Sequence, residues 1–246
     1  MKTHKLSRDI WCPNLRGDFE AFSWYPACAQ IKIDGEYELI EWNGKDILCV
    51  NKYGKTRTDF PALNKILNSD LKSHSLGPCT LMAELYWGDG KNNALYKLLE
   101  NKESDDLHLY VHDIYLPFAT TFERLSFLRD KGLSQFTVID NKQEAEAFFN
   151  ETIRAGYEGI VIKPSSSKIQ NANQWCKVKL EDETEMTVKV IYEGAERVDL
   201  EFEGKTIGCK APNALKATLK VGQTVLVKHN GFTDNSVRHP TLKGQV

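Results

Sequence analysis

The sequence predicts an α+β protein, with an antiparallel-sheet domain over residues 1–183 followed by a small β-barrel over 184–246. Three observations carry this. Alternating apolar segments separated by Asp-Gly and Asn-Gly turns open the first half, two capped helices stand among later strands, and beyond an acidic run the chain breaks into closely spaced short strands. At 246 residues and 41% hydrophobic composition, the chain can bury one large core, or a large and a small one. It has no run of about eighteen apolar residues, and Met1 to Arg8 lacks an apolar signal core. A soluble, intracellular, cytoplasmic monomer with no membrane partner is therefore expected.

The lead-in carries turn signals at Cys12-Pro13-Asn14 and Tyr25-Pro26, and a strand is expected from about Cys28. Gln30 to Ile33, Tyr37 to Trp42 and Ile47 to Asn51 alternate between Asp34-Gly35 and Asn43-Gly44, the pattern of an antiparallel meander. A basic turn follows at Asn51 to Arg57, then helical spacing from Phe60 to Leu71, an apolar strand from Thr80 to Tyr86, and a second helical piece near Asn93 to Asn101. Leu107 to Asp113 reads as a strand. Thr120-Thr121-Phe122-Glu123 is a capping box whose helix Gly132 closes, and Asn141 opens another that Gly156 closes. Tyr157 to Pro164 and Trp175 to Leu180 read as core strands. The acidic stretch near Glu181 to Glu185 is the expected domain boundary and hinge. Beyond it lie strands at Met186 to Tyr192, Val198 to Phe202, Thr206 to Cys209 and Thr224 to Lys228, and a helical piece at Asn213 to Lys220.

The six cysteines form no CxxC pair, which argues against a zinc site or a disulfide framework. Net charge is −2, but acids dominate from Glu181 to Glu203, whereas Asp234 is the only acid after Lys205. That contrast suits a solvated face or a phosphate-tracking surface equally.

Lys32 ends the alternation Ala29-Gln30-Ile31-Lys32. A protonated lysine is a poor nucleophile, and a strand-end lysine among other cations has its pKa lowered and its amine freed. Lys32 is thus a candidate covalent catalyst, although a plain hairpin turning at Asp34-Gly35 uses the same residues. Lys177 and Lys179, two apart on a strand, point to one face and can converge on one phosphate. Glu84 on the apolar strand Leu81 to Leu85 requires a partner, because an unpaired carboxylate is costly to bury. Glu158 and Lys163 suit strand-end ion pairs, and Trp175 suits the core.

Lys32-Ile33-Asp34-Gly35, the turn at Asn51 to Gly54, Glu84, Glu158-Gly159-Ile160-Val161-Ile162-Lys163 and Lys177-Val178-Lys179 stand in one order. That order resembles the covalent nucleotidyltransferases, namely ATP-dependent DNA ligases, RNA ligases and mRNA capping enzymes, and among them most resembles a minimal ATP-dependent DNA ligase. The resemblance runs from about Gln30 to Lys179, with an echo at Val237 to Pro240. It implies an adenylation domain followed by an OB-fold. Lys32 would attack the α-phosphate of ATP, with Lys177 and Lys179 neutralising the growing charge. Gln30, Ile31, Lys52, Glu84, His112 and Lys163 would complete the nucleotide site. Glu158, with Glu84 and Asp34, would hold Mg2+ or Mn2+. Nicked duplex DNA is the implied partner, with Lys55, Arg57, Lys210, Lys228 and Arg238 as contacts.

Three residues depart from the family pattern. Tyr37 replaces a usual arginine, Gln30 replaces a glutamate that reads the adenine amino group, and Lys52 replaces an arginine. His112 stands where the family places an aromatic that stacks on adenine; a packed core histidine is the even alternative. The family continues past the position of Val246 to a further basic motif, so either the chain is truncated or its first step runs by other means. The rival readings are an RNA ligase or capping-type guanylyltransferase, and an OB-fold nucleic-acid binder with a degenerate nucleotide pocket.

Overall fold

The computed structural model describes residues 19, 22–52, 54, 56, 76–88, 107–169, 174–233, 236–237 and 239–246. The expected helices at 60–71 and near 93–101, and the candidate contacts Lys55, Arg57 and Arg238, lie outside the described residues. The chain divides into two compact units, Met1–Val178 and Lys179–Val246.

The first unit holds two four-stranded sheets. One contains β1 (Ala27–Lys32), β6 (Thr137–Ile139), β7 (Gly159–Pro164) and β8 (Cys176–Lys179), in the order β6-β1-β7-β8. The other contains β2 (Glu36–Trp42), β3 (Ile47–Asn51), β4 (Cys79–Trp87) and β5 (Leu107–Ile114), in the order β3-β2-β4-β5. The expected three-strand meander is corrected here. β2 and β3 form a hairpin, but β1 pairs with β6 and β7 instead. Asp34-Gly35 is a crossover between sheets, not a hairpin turn. At Gly35 a Cβ would sit 2.4 Å from the Leu85 carbonyl oxygen and 2.7 Å from Glu84 Cγ, so only glycine lets the chain pass this close to β4.

Two helices cover these sheets. α1 (Thr121–Asp130) opens with the predicted capping box: Thr120 Oγ1 accepts from the Glu123 amide, and Glu123 Oε2 accepts from the Thr120 amide at 2.7 Å. Gly132, at φ 70°, ends it. α1 packs on β5, and α2 (Lys142–Arg154), capped by Asn141, packs on β7. Because side chains alternate along a strand, β1 and β7 bury Ala27, Ala29, Ile160 and Ile162 on one face, together with Cys176 and Val178 of β8. The opposite face carries Gln30, Lys32, Val161 and Lys163, and by the same alternation Lys177 and Lys179.

In the second unit β9 (Asp182–Ile191), β10 (Arg197–Phe202), β11 (Lys205–Lys210), β12 (Thr224–His229) and β15 (Thr241–Gln245) close into a barrel, ordered β10-β11-β15-β12-β9. α3 (Asn213–Lys216) is a single turn, and β13 (Phe232–Thr233) and β14 (Ser236–Val237) make a small hairpin. The barrel encloses Met186, Val188, Val198, Leu200, Ile207, Val225, Val227 and Leu242. The acidic run is not a linker, since Asp182, Glu183 and Glu185 belong to β9 and pair in register with β12.

Candidate active site

Lys32 lies at the end of β1, where its neighbour across the ladder is Gly159 of β7, one residue after Glu158. That register sets the lysine amine against the carboxylate: Lys32 Nζ donates to Glu158 Oε2 at 2.6 Å, with the two side chains 20% and 4% exposed. Burial pulls the Lys32 pKa down, but the attraction of Glu158, Glu84 and Asp34 outweighs it and holds the ammonium above the ordinary lysine value. The sequence reading expected the reverse, a lysine depressed by neighbouring cations. The correction has a simple cause, because Lys32's nearest charged neighbours are carboxylates.

A cleft opens beside this pair. Gln30, Ile31, Lys32 and Ile33 line it from β1 and its exit, Val161 and Lys163 from β7, and Tyr37, Glu84, Tyr110 and His112 from the other sheet, with Trp175. Tyr37 pairs with Glu84 and Glu84 with Tyr110 across β2, β4 and β5, so these three stand side by side on one face. Burial drives the Glu84 carboxyl up to about 7, with Lys32 pulling the other way. Burial also lowers His112 to about 3, and the ammonium of Lys163 adds to this, so the imidazole is neutral at physiological pH. It lies 5.6 Å from the Tyr37 ring at 50°.

Lys163 is fixed by a buried ion triad. Its Nζ donates to the His112 carbonyl at 2.7 Å and to Asp113 Oδ2 at 3.1 Å, and Arg124 Nε donates to Asp113 Oδ1 at 2.8 Å. Burial by itself would raise the Asp113 carboxyl, but the two cations hold it at about 2. Asp113 and Arg124 were not among the sequence candidates. The available signal was positional: Asp113 lies near the buried end of β5, and the capping box turns Arg124 inward together with Leu125 and Leu128. Lys163 also sits 4.2 Å above the Trp175 ring, and Trp175 packs on Leu39 and Met82.

Gln30 is buried and donates from Nε2 to Ser134 Oγ at 2.9 Å, whereas its Oε1 has no hydrogen-bond partner among the described residues. An unsatisfied buried carbonyl costs about 1–3 kcal/mol. A ligand donor entering the cleft would remove that penalty.

The remaining candidates are distributed differently. Lys52 is close enough to Glu84 to lower its pKa. Lys177 and Lys179 share the sheet face of Lys32 and Lys163 but are not among the cleft-lining residues. Glu158, Glu84 and Asp34 surround the Lys32 amine, yet among the described residues no three His, Cys, Asp or Glu side chains converge as a metal site. Glu158 holds the Lys32 ammonium. On the barrel, Lys228 pairs with Glu181, Lys243 with Glu183 and Lys210 with Glu196 at 4.0 Å. Three of the late cations are thus paired with acids of the preceding run.

No helix among the described residues is long and apolar enough to cross a membrane. None of the curated proteins matches this chain. Residues 128–179 match the ATP dependent DNA ligase domain model. Among solved structures, a Lig E DNA ligase described as a minimal DNA-binding scaffold is 14% identical, covering 94% of this chain and 97% of its own at a TM-score of 0.76. The ligase domain of Mycobacterium tuberculosis LigD is 14% identical, with coverage of 94% and 92% and a TM-score of 0.59. The Chlorella virus DNA ligase-adenylate is 13% identical, with coverage of 94% and 95% and a TM-score of 0.50. The resemblance to ATP-dependent DNA ligases read from Lys32 to Lys179 therefore recurs in a family model over residues 128–179 and in the fold of nearly the whole chain.

Proposed function

We propose that the protein is an ATP-dependent DNA ligase that seals nicks in duplex DNA through a lysyl-AMP intermediate. Residues 1–183 would form the adenylation domain and 184–246 an OB-fold. The observation that carries this reading is the cleft itself, with a nucleophile-bearing residue at one end and, in Gln30, a buried carbonyl awaiting a donor such as the adenine amino group. Val161 and the neutral His112 ring supply apolar and aromatic faces for the base.

In the first step the Lys32 amine, having lost its proton, attacks the α-phosphorus of ATP. A phosphorus–nitrogen bond forms, the bond to the bridging oxygen breaks and pyrophosphate leaves. Glu158 aims the amine and is the nearest group able to take its proton. Lys163, Lys177 and Lys179 are proposed to neutralise charge on the phosphate oxygens, since this transfer depends on positioning and charge more than on general-base strength. A divalent cation bound with the triphosphate would add to that neutralisation. AMP then passes to the 5′-phosphate at a nick, and the 3′-hydroxyl displaces it to join the strand. The barrel is proposed to contact the duplex through phosphates, so binding weakens as salt rises. The RNA-ligase, guanylyltransferase and pure-binder alternatives are not favoured, because the solved structures named above are a Lig E DNA ligase, the LigD ligase domain and a DNA ligase-adenylate.

Incubation with labelled ATP or GTP, followed by nicked DNA or nicked RNA, tests the proposal. Label from ATP should appear on the protein and be discharged by nicked DNA. Labelling by GTP alone, or discharge by nicked RNA alone, would overturn it.

A further inference from the structure

Trp175 looks like an ordinary core residue in the sequence, and its ring does pack against Leu39 and Met82. Two features exceed that role. It lines the cleft, and its indole Nε1, a donor that cannot accept, meets no hydrogen-bond partner among the described residues although the residue is only 4% exposed. Tryptophan N–H groups normally find an acceptor when buried, and leaving one unmade costs on the order of 1–3 kcal/mol. The Lys163 ammonium, 4.2 Å from the ring centroid, also draws electron density towards its face and leaves the N–H a stronger donor.

On the opposite side of the account stands Gln30 Oε1, an acceptor with no partner on the same cleft. The cleft therefore offers an unmet acceptor at Gln30 and an unmet donor at Trp175. Adenine presents the complement, an exocyclic amine beside ring nitrogens that accept. We infer that Trp175 is a nucleotide-contacting residue whose indole N–H donates to a ring nitrogen of the purine while Gln30 accepts from its amino group. This rests on the ATP reading above.

Trp175→Phe tests it, because phenylalanine keeps an aromatic ring under Lys163 and removes only the donor and part of the area. Thermal melting monitors the fold. The KM for ATP in protein adenylation is measured for wild type and variant with ATP and with its 1-deaza, 3-deaza and 7-deaza analogues, each of which replaces one ring nitrogen by carbon. The variant should raise the KM for ATP by about fivefold or more, the value of one hydrogen bond. For one analogue the variant and wild type should converge, because the acceptor is already gone. An unchanged KM for ATP overturns the inference. So does an equal loss with ATP and all three analogues, which would mark Trp175 as packing alone. Wild type that acquires no AMP on Lys32 sinks the ATP reading itself, and that result is distinct from either outcome for the variant.

Discussion

In the first unit, Arg124, Asp113 and Lys163 are 0%, 0% and 1% exposed in their side chains and bond to one another at 2.8 and 3.1 Å. In the second, Lys189–Glu201 and Lys210–Glu196 sit 3.6 and 4.0 Å apart with about half or more of each side chain in solvent. Both arrangements pair opposite charges, yet their physical weight differs. Exposed pairs are screened by water and salt and contribute little. A buried triad must overcome the loss of hydration of every member, which it does only through close and well-aligned hydrogen bonds. Here it fixes Lys163 on the wall of the cleft.

The comparison can be broken by removing one member of each kind of pair. Arg124→Met leaves Asp113 to Lys163 alone and should cost roughly 3–5 kcal/mol in urea unfolding at neutral pH; a loss below about 1 kcal/mol would contradict the triad's importance. Acid sharpens the same point. Asp113 is held at about 2 against an ordinary 3.8, so its contribution is fully present above the ordinary value and fades as pH falls towards 2. The stability gap between wild type and Asp113→Asn should therefore narrow by roughly 2 kcal/mol between about pH 5 and pH 2.

Glu84 has the opposite sign. Its folded value of about 7 exceeds the ordinary 4.5, so the carboxylate burdens the fold increasingly as pH rises from 4.5 through 7. Glu84→Gln should be more stable than wild type by about 1–2 kcal/mol at pH 8, with little difference at pH 4. An equal stability at both pH values would mean that Glu84 is not desolvated. The smallest effect belongs to the barrel, where Lys243→Ala, which breaks the exposed pair with Glu183, should change stability by less than about 0.5 kcal/mol.

Much of the fold was legible because it follows from local rules. Thr120 with Glu123, Asn141, Gly132 and Gly156 announced the two long helices, period-two alternation announced β2, β3 and β5, and β7 read as a core strand. The pairing of strands was not legible, since Asp34-Gly35 reads identically as a hairpin turn and as a crossing between sheets. The pairing of β1 with β6 and β7, and the crowding of Gly35 against Leu85 and Glu84, distinguish them. β6, three residues long, was too short to show a period. In the site, Lys32, Gln30, Glu84 and Lys163, which motif order grouped, line one cleft, and Glu158 bonds to Lys32. The sign of the Lys32 pKa shift, the Asp113–Arg124 support and the exposure of Trp175 to the cleft all depend on distances between strands far apart in sequence.

That the Lys32 amine carries the nucleotide, as proposed, is tested most directly by peptide mass spectrometry after incubation with ATP and a divalent cation. One added AMP is expected, borne by the peptide containing Lys32 and absent from a folded Lys32→Ala protein. AMP on another residue, or undiminished adenylation of the folded Lys32→Ala protein, would contradict it.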